Sequence, residues 1–129
     1  REALERGARV KGRCFRERLG FALHGLQLAI SRERSFRVHV LAGGGVLGVL
    51  LLARPPLVWW TVLALTAGFV MVTELVNTAL ETLADHLHPE QHPEIGACKD
   101  IAAGAVLVAT ATAVVIGIVF AAQWFRGWP

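Results

Sequence analysis

The stretch LVWWTVLALTAGFVMVTELVNTALETLAD, Leu57 to Asp85, begins apolar enough to enter a membrane and ends in the acids Glu74, Glu81 and Asp85. Nothing between Leu57 and Leu87 is Pro or Gly except Gly68, so the spacing predicts one continuous helix. At about 100° per residue, Glu74, Asn77, Glu81 and Asp85 return to one side of that helix and form a single polar stripe. A carboxylate in hydrocarbon costs about 2.5–3.5 kcal/mol even on the lenient insertion scale. Such residues usually face a bundle interior and carry chemistry. The competing reading is a helix end that is simply solvated.

Composition places the whole chain in the membrane class. Its 129 residues are 54% hydrophobic and 18% charged, and the mean hydropathy is +0.51, too apolar for an ordinary soluble domain. Three apolar blocks stand out, Val38 to Ala53, Leu57 to Thr73 and Ile101 to Phe125, against the roughly 20 residues a spanning helix requires. The first gains length by starting at Ser35, with Arg37 reaching to the headgroups. The resulting expectation is an all-α membrane protein with one domain over 1–129. It has an interfacial region at 1–33 and transmembrane helices at 35–53, 57–85 and 99–125.

Ten of the thirteen Lys and Arg lie between Arg1 and Arg37, so the positive-inside rule puts the N-terminus in the cytoplasm. The turn at Arg54-Pro55-Pro56, anchored by Trp59 and Trp60, is then expected outside, and His86 to Lys99 inside. Arg126 to Pro129, with Trp124 and Trp128 as a second aromatic belt, falls outside. Residues 1–30 have no 7–15-residue apolar core with a small-residue cleavage site, so they are not read as a signal peptide. They read as an amphipathic helix lying in the headgroups. Leu4, Ala8, Phe15, Leu19, Ala22 and Leu26 form its apolar side, and Arg6, Arg9, Arg13, Arg16 and Glu17 its charged side. A solubilising charged tail is the plainer alternative, because Gly7, Gly12 and Gly20 weaken the helix. The basic excess reads as attraction to anionic lipid and not to nucleic acid.

Cys14 and Cys98 both fall on the expected cytoplasmic side and lack a metal-binding spacing, so neither a disulfide nor a zinc site is expected. Among the histidines, His86 and His88 read as a solvated turn, while His92, beside Pro93, has the better claim to touch a ligand. Gly43-Gly44-Gly45 lies inside an apolar helix with no Lys-Ser or Lys-Thr after it, which argues against a phosphate loop. Gly44 and Gly48 read as a small-residue surface between helices, as do Ala102, Ala103, Gly104 and Ala105.

A second polar cluster argues against a merely solvated stripe. Lys99-Asp100 opens the expected third span and Glu33 precedes the first, so several carboxylates, one amide and one ammonium are expected at one membrane face. Mutually repelling carboxylates favour a cation, and oxygen donors of this hardness suit Mg²⁺. A divalent ion, a lysine and a spare carboxylate base are the parts that phosphoryl transfer needs.

These same residues carry a resemblance. Glu74-Leu-Val-Asn77-Thr-Ala-Leu-Glu81-Thr-Leu-Ala-Asp85, then His92-Pro93, then Ala97-Cys98-Lys99-Asp100-Ile-Ala-Ala-Gly104-Ala-Val closely resembles the bacterial integral-membrane diacylglycerol kinase and undecaprenol kinase family, over about Gly20 to Val119. The resemblance implies a homotrimeric bundle in the bacterial inner membrane, with an amphipathic N-terminal helix and three transmembrane helices per subunit. Its sites are shared between subunits and lie at the cytoplasmic face.

By position, Glu74 is implied as the catalytic base with Asn77 supporting it, and Glu33 and Glu81 as the carboxylates that hold Mg²⁺ against the ATP phosphates. Lys99 and Asp100 match ATP-contacting residues, Glu90, Gln91 and His92 the loop that closes over ATP, and Phe21 a Tyr near the adenine. Asp85 completes the signature in a supporting role. Arg13 or Arg16 stands in for an N-terminal nucleotide-contacting Arg.

Glu33-Arg-Ser35-Phe-Arg-Val-His39 resembles the Glu-Arg-Asn-Phe-x-x-His pattern of the undecaprenol branch, with Ser35 in place of Asn. The diacylglycerol branch has an acid where His39 stands. The expected activity is therefore ATP- and Mg²⁺-dependent phosphorylation of a lipid alcohol, undecaprenol, with diacylglycerol as the alternative acceptor. Two other classes are weighed against it: a transport subunit whose acids carry protons or cations, and a purely structural membrane scaffold.

Overall fold

The computed structural model of the chain describes residues 14–88 and 92–128. Every regular element among them is a helix: α1 over Phe15–Arg32, α2 over Arg34–Ala53, α3 over Leu57–Leu87 and α4 over Pro93–Arg126. The last three are long and apolar enough to cross a membrane. The chain divides after Glu33 into two units, the first ending with α1 and the second holding α2, α3 and α4.

In the first unit, the expected interfacial helix is helical from Phe15 onward, and Gly20 and Gly25 do not interrupt it. Leu4, Ala8, Arg6, Arg9 and Arg13 lie outside the described residues. Glu33 follows the last turn with extended backbone, φ −103°, and its N–H donates to the Ala29 carbonyl at 2.9 Å.

In the second unit, α2 and α3 are joined only by Arg54, Pro55 and Pro56, which makes them antiparallel neighbours. Arg54 has a left-handed φ of 45°, the backbone that often closes a helix, and its N–H donates to the Leu50 carbonyl at 3.0 Å. Two prolines then forbid continuation, and α3 starts afresh.

Leu50, Leu63 and Phe120, one from each helix, form the hydrophobic core. Around them pack Val46, Ala53, Trp59, Trp60, Ile116 and Trp128. The Trp59 and Phe120 rings meet edge to face with centroids 5.2 Å apart, and Trp128 lies 5.6 Å from Phe120. Trp128 follows Gly127, whose φ of +83° suits glycine and disfavours any other residue. Trp59 and Trp128, expected from the sequence as interfacial anchors, thus also pack against the core.

Two differences from the sequence expectation concern helix contacts. The fourth helix begins at Pro93, one turn and more before Lys99, because Pro suits a first helical position and the His92 Nδ1 accepts a bond from the Glu94 N–H at 3.3 Å. Lys99 and Asp100 therefore lie inside the helix. The close approach on α2 is at Gly43, where a Cβ would come 2.8 Å from the Met71 Cε, whereas a Cβ on Gly44 or Gly48 would meet nothing within 4 Å. On α4 the buried small residues are Ala102 and Ala109, the latter 1% exposed, while Ala103 and Ala105 are exposed.

Truncating the core aromatic should loosen the bundle. Phe120→Ala is expected to lower the unfolding free energy in detergent micelles by about 3 kcal/mol. Phe125→Ala, at a position 91% exposed, should leave it nearly unchanged; equal losses would show that the aromatic cluster does not hold the helices together.

Candidate functional site

The face of α3 that turns inward changes character along its length. Leu63 and Val70 are its buried apolar residues, and one turn on from Val70 the next buried residue is Glu74, 3% exposed. Asn77 and Glu81 continue the same side half-buried, and Asp85 ends it exposed. This is the polar stripe expected from the 100° repeat, carried by one unbroken helix.

No donor among the described residues is bonded to the Glu74 carboxylate. A buried carboxylate without a partner is expensive, and a cost of that kind is characteristic of sites that bind or react. Next along the stripe, the Asn77 Nδ2 donates to the Glu81 Oε1 at 3.1 Å, an i to i+4 pair. That bond uses the donor end of the amide, and the Asn77 Oδ1 is buried without a partner. The stripe therefore presents unfilled acceptors: two Glu74 oxygens, the Asn77 oxygen and the second Glu81 oxygen.

At the far end, the Lys99 Nζ donates to the Asp85 Oδ1 at 2.8 Å. This contact ties α4 to α3 across the loop; the sequence reading, which gave Lys99 to ATP and Asp85 a supporting role, did not foresee the pairing. The only sequence signal was opposite charge at matching ends of neighbouring helices. Asp85 is 67% exposed and Lys99 35%, so the pair is worth little, about 0–1 kcal/mol. An anion arriving at this end could take the ammonium at small cost.

The Lys99–Asp85 contact at one end and the Trp59–Phe120 contact at the other set the antiparallel register of α3 and α4. That register puts Ala102 opposite the level of Glu81 and Ala109 near the level of Glu74. Small side chains at those two places let α4 lie close against the stripe. Asp100, the neighbour of Lys99, is exposed.

Of the other expected site residues, Phe21 and Glu33 lie in the first unit, at α1 and just beyond it. His39 lies in α2, with its Nδ1 buried and unpartnered. His92 caps α4 through Nδ1, which leaves Nε2 as the nitrogen open to a ligand, and its ring is 6.4 Å from that of His88. Glu90 and Gln91 lie outside the described residues. Among the described residues, no three His, Cys, Asp or Glu side chains cluster as a self-sufficient metal site. The open oxygens of Asn77 and Glu81 do fit a hard cation that takes one or two protein oxygens and completes its shell with water and phosphate, as Mg²⁺ does.

Cutting either partner of the surface pair should show how weakly it holds. A double-mutant cycle on Lys99→Ala and Asp85→Ala, read by unfolding in micelles, should give a coupling of about 1 kcal/mol or less. A coupling of several kcal/mol would make the pair a structural brace and not a parked ammonium.

Comparison with known proteins places this geometry in a family. Residues 20–121 match the family described as prokaryotic diacylglycerol kinase. The chain is similar to a diacylglycerol kinase of Synechocystis, 39% identical over 98 residues that cover 75% of this chain and 56% of that protein. It is similar to an undecaprenol kinase of Bacillus subtilis, 36% identical over 86 residues, covering 67% of this chain and 70% of that protein. A diacylglycerol kinase of Escherichia coli is 32% identical over 103 residues, covering 74% of this chain and 79% of that protein. The matched region takes in α2, α3 and nearly all of α4, with the whole acidic stripe and Lys99, and on this ground the chain belongs to the prokaryotic diacylglycerol kinase family.

Proposed function

We propose that the chain is a lipid kinase of the bacterial inner membrane that transfers the γ-phosphoryl group of ATP to the hydroxyl of undecaprenol. The observation that carries this reading is Glu74, a buried carboxylate without a donor among the described residues, on a membrane-spanning helix whose stripe runs out to an accessible lysine. A lipid alcohol comes from the membrane side, ATP from the water side, and the stripe connects the two. The N-terminus and the site face the cytoplasm, where ATP is available, in keeping with the basic N-terminal third.

In this mechanism Glu74 accepts the proton of the lipid hydroxyl. The oxygen forms its bond to the γ-phosphorus, the bond from that phosphorus to the β-bridging oxygen breaks, and ADP leaves. Asn77 holds Glu81 in place through its amide. Glu33 and Glu81 are the carboxylates that would hold Mg²⁺, which, when bound, neutralises phosphate charge. Lys99, released from Asp85, turns to phosphate. Asp100, Phe21, Glu90, Gln91 and the free Nε2 of His92 complete the nucleotide contacts. A homotrimer with sites shared between subunits would bring α1 residues and the stripe together.

Undecaprenol is favoured over diacylglycerol by the Glu33 to His39 stretch, in which His39 stands where the diacylglycerol branch has an acid. A polyprenol offers one hydroxyl on a bare chain, whereas diacylglycerol brings ester carbonyls that a selective site would have to pair. The second reading, diacylglycerol as acceptor, is favoured by the names of the Synechocystis and Escherichia coli relatives.

The deciding experiment offers both lipids at equal mole fraction in the same micelles, with radiolabelled ATP and Mg²⁺. Higher kcat/KM on undecaprenol is expected, with some label in diacylglycerol. Preference for diacylglycerol would reverse the substrate assignment, and label in neither lipid would remove the kinase reading in favour of a transport or scaffold role.

In the same assay, Glu74→Gln should lose about 10²–10⁴-fold in kcat while ATP binding persists. Glu33→Ala and Glu81→Ala should each raise the Mg²⁺ concentration needed for half-maximal rate. Unchanged magnesium titrations in both would take those carboxylates out of the metal site.

A further inference from the structure

His39 and Glu74 each hold unused hydrogen-bonding capacity, and helix geometry puts them at one depth. Gly43 of α2 lies against Met71 of α3, which sets the register of these antiparallel helices. One turn back along α2 from Gly43 is His39, about 6 Å away at 1.5 Å per residue. Three residues on along α3 from Met71 is Glu74, about 4.5 Å in the same direction. The two therefore differ in depth by about 1.5 Å.

They also lie on facing sides. His39 and Gly43 are i and i+4 on α2, on the side that includes Val46 and the core residue Leu50; Met71 and Glu74 are i and i+3 on α3. The His39 Nδ1 is buried without a partner, and the Glu74 carboxylate, 3% exposed, is bonded to no donor among the described residues. A neutral imidazole can place its proton on Nδ1 and donate it, and a carboxylate can only accept. The two unfilled groups are chemically complementary.

We propose that His39 is a positioning residue for the base, its Nδ1–H donating to one Glu74 oxygen in the working site and turning the other oxygen toward the acceptor hydroxyl. The proposal rests on the reading of Glu74 as the general base. A carboxylate held at one oxygen keeps a defined lone pair for the incoming proton, and loss of that hold costs rate through misplacement and not through substrate affinity.

The test is a kinetic cycle in micelles on His39→Leu, His39→Asn, Glu74→Gln and His39→Leu/Glu74→Gln, with single-turnover measurement of the slow variants. His39→Leu should lower kcat by about tenfold with KM for ATP and for the lipid alcohol within about twofold, the size expected for one bond to a charged group. His39→Asn, whose Nδ2 lies near the imidazole Nδ1, should recover most of that loss. In the Glu74→Gln background, His39→Leu should cost little more, because the group it positions is gone.

Equal losses in the two backgrounds, failure of Asn to rescue a well-folded variant, or a rise in lipid KM with kcat unchanged would overturn the proposal. Absence of lipid phosphorylation by the unmodified protein would instead overturn the kinase reading itself.

Discussion

A carboxylate a little past the middle of a membrane helix constrains everything packed near it. Glu74 is 3% exposed, and in hydrocarbon its charge could be met neither by water nor by lipid. Other helices have to cover it. On one side α2 comes close at Gly43, and on the other α4 presents Ala109, so both neighbours use their smallest side chains near the acid. Bulk at those places would push the helices apart and open the carboxylate to acyl chains.

The two ends of the three-helix unit are held by different forces. At the Arg54 end, Leu50, Leu63 and Phe120 are packed with Trp59 and Trp128, an arrangement of large rings with little freedom. At the other end, α3 and α4 are linked by one exposed pair of charges. Packing that is tight at one end and cheap to break at the other lets the polar end adapt to a ligand while the apolar end keeps the helices in register. The acidic stripe runs from the firm half into the adaptable half, which suits a reaction between an acceptor in the membrane and a donor in water.

Most large apolar side chains in the unit point outward. Leu41, Leu52, Leu65, Leu107 and Phe125 are each more than two-thirds exposed. In water such a surface would aggregate; in a bilayer it is solvated by lipid tails, and helix association then depends on close packing and polar contacts. The unit's small buried core follows from this solvent. Further copies of the chain would cover part of the same surface, as the proposed trimer requires.

The sequence by itself determined the helices and the stripe. Runs of apolar residues with no proline inside them, the five prolines falling at Pro55, Pro56, Pro89, Pro93 and Pro129, leave the backbone no alternative to helix in a membrane, because each peptide group must find its partner locally. The spacing of Glu74, Asn77, Glu81 and Asp85 then puts them on one side, since the helical repeat is a property of the chain alone. Which small residue meets a neighbour was not legible: Gly43, Gly44 and Gly48 look alike in sequence, and only Gly43 faces Met71. Nor could the sequence show that Lys99 rests on Asp85, that the His92 ring closes the start of α4, or that His39 shares the depth of Glu74. Each of these depends on the register and rotation between segments distant in the chain. The tertiary structure alone decided them, because register is set by how whole helix surfaces interlock and not by any local preference.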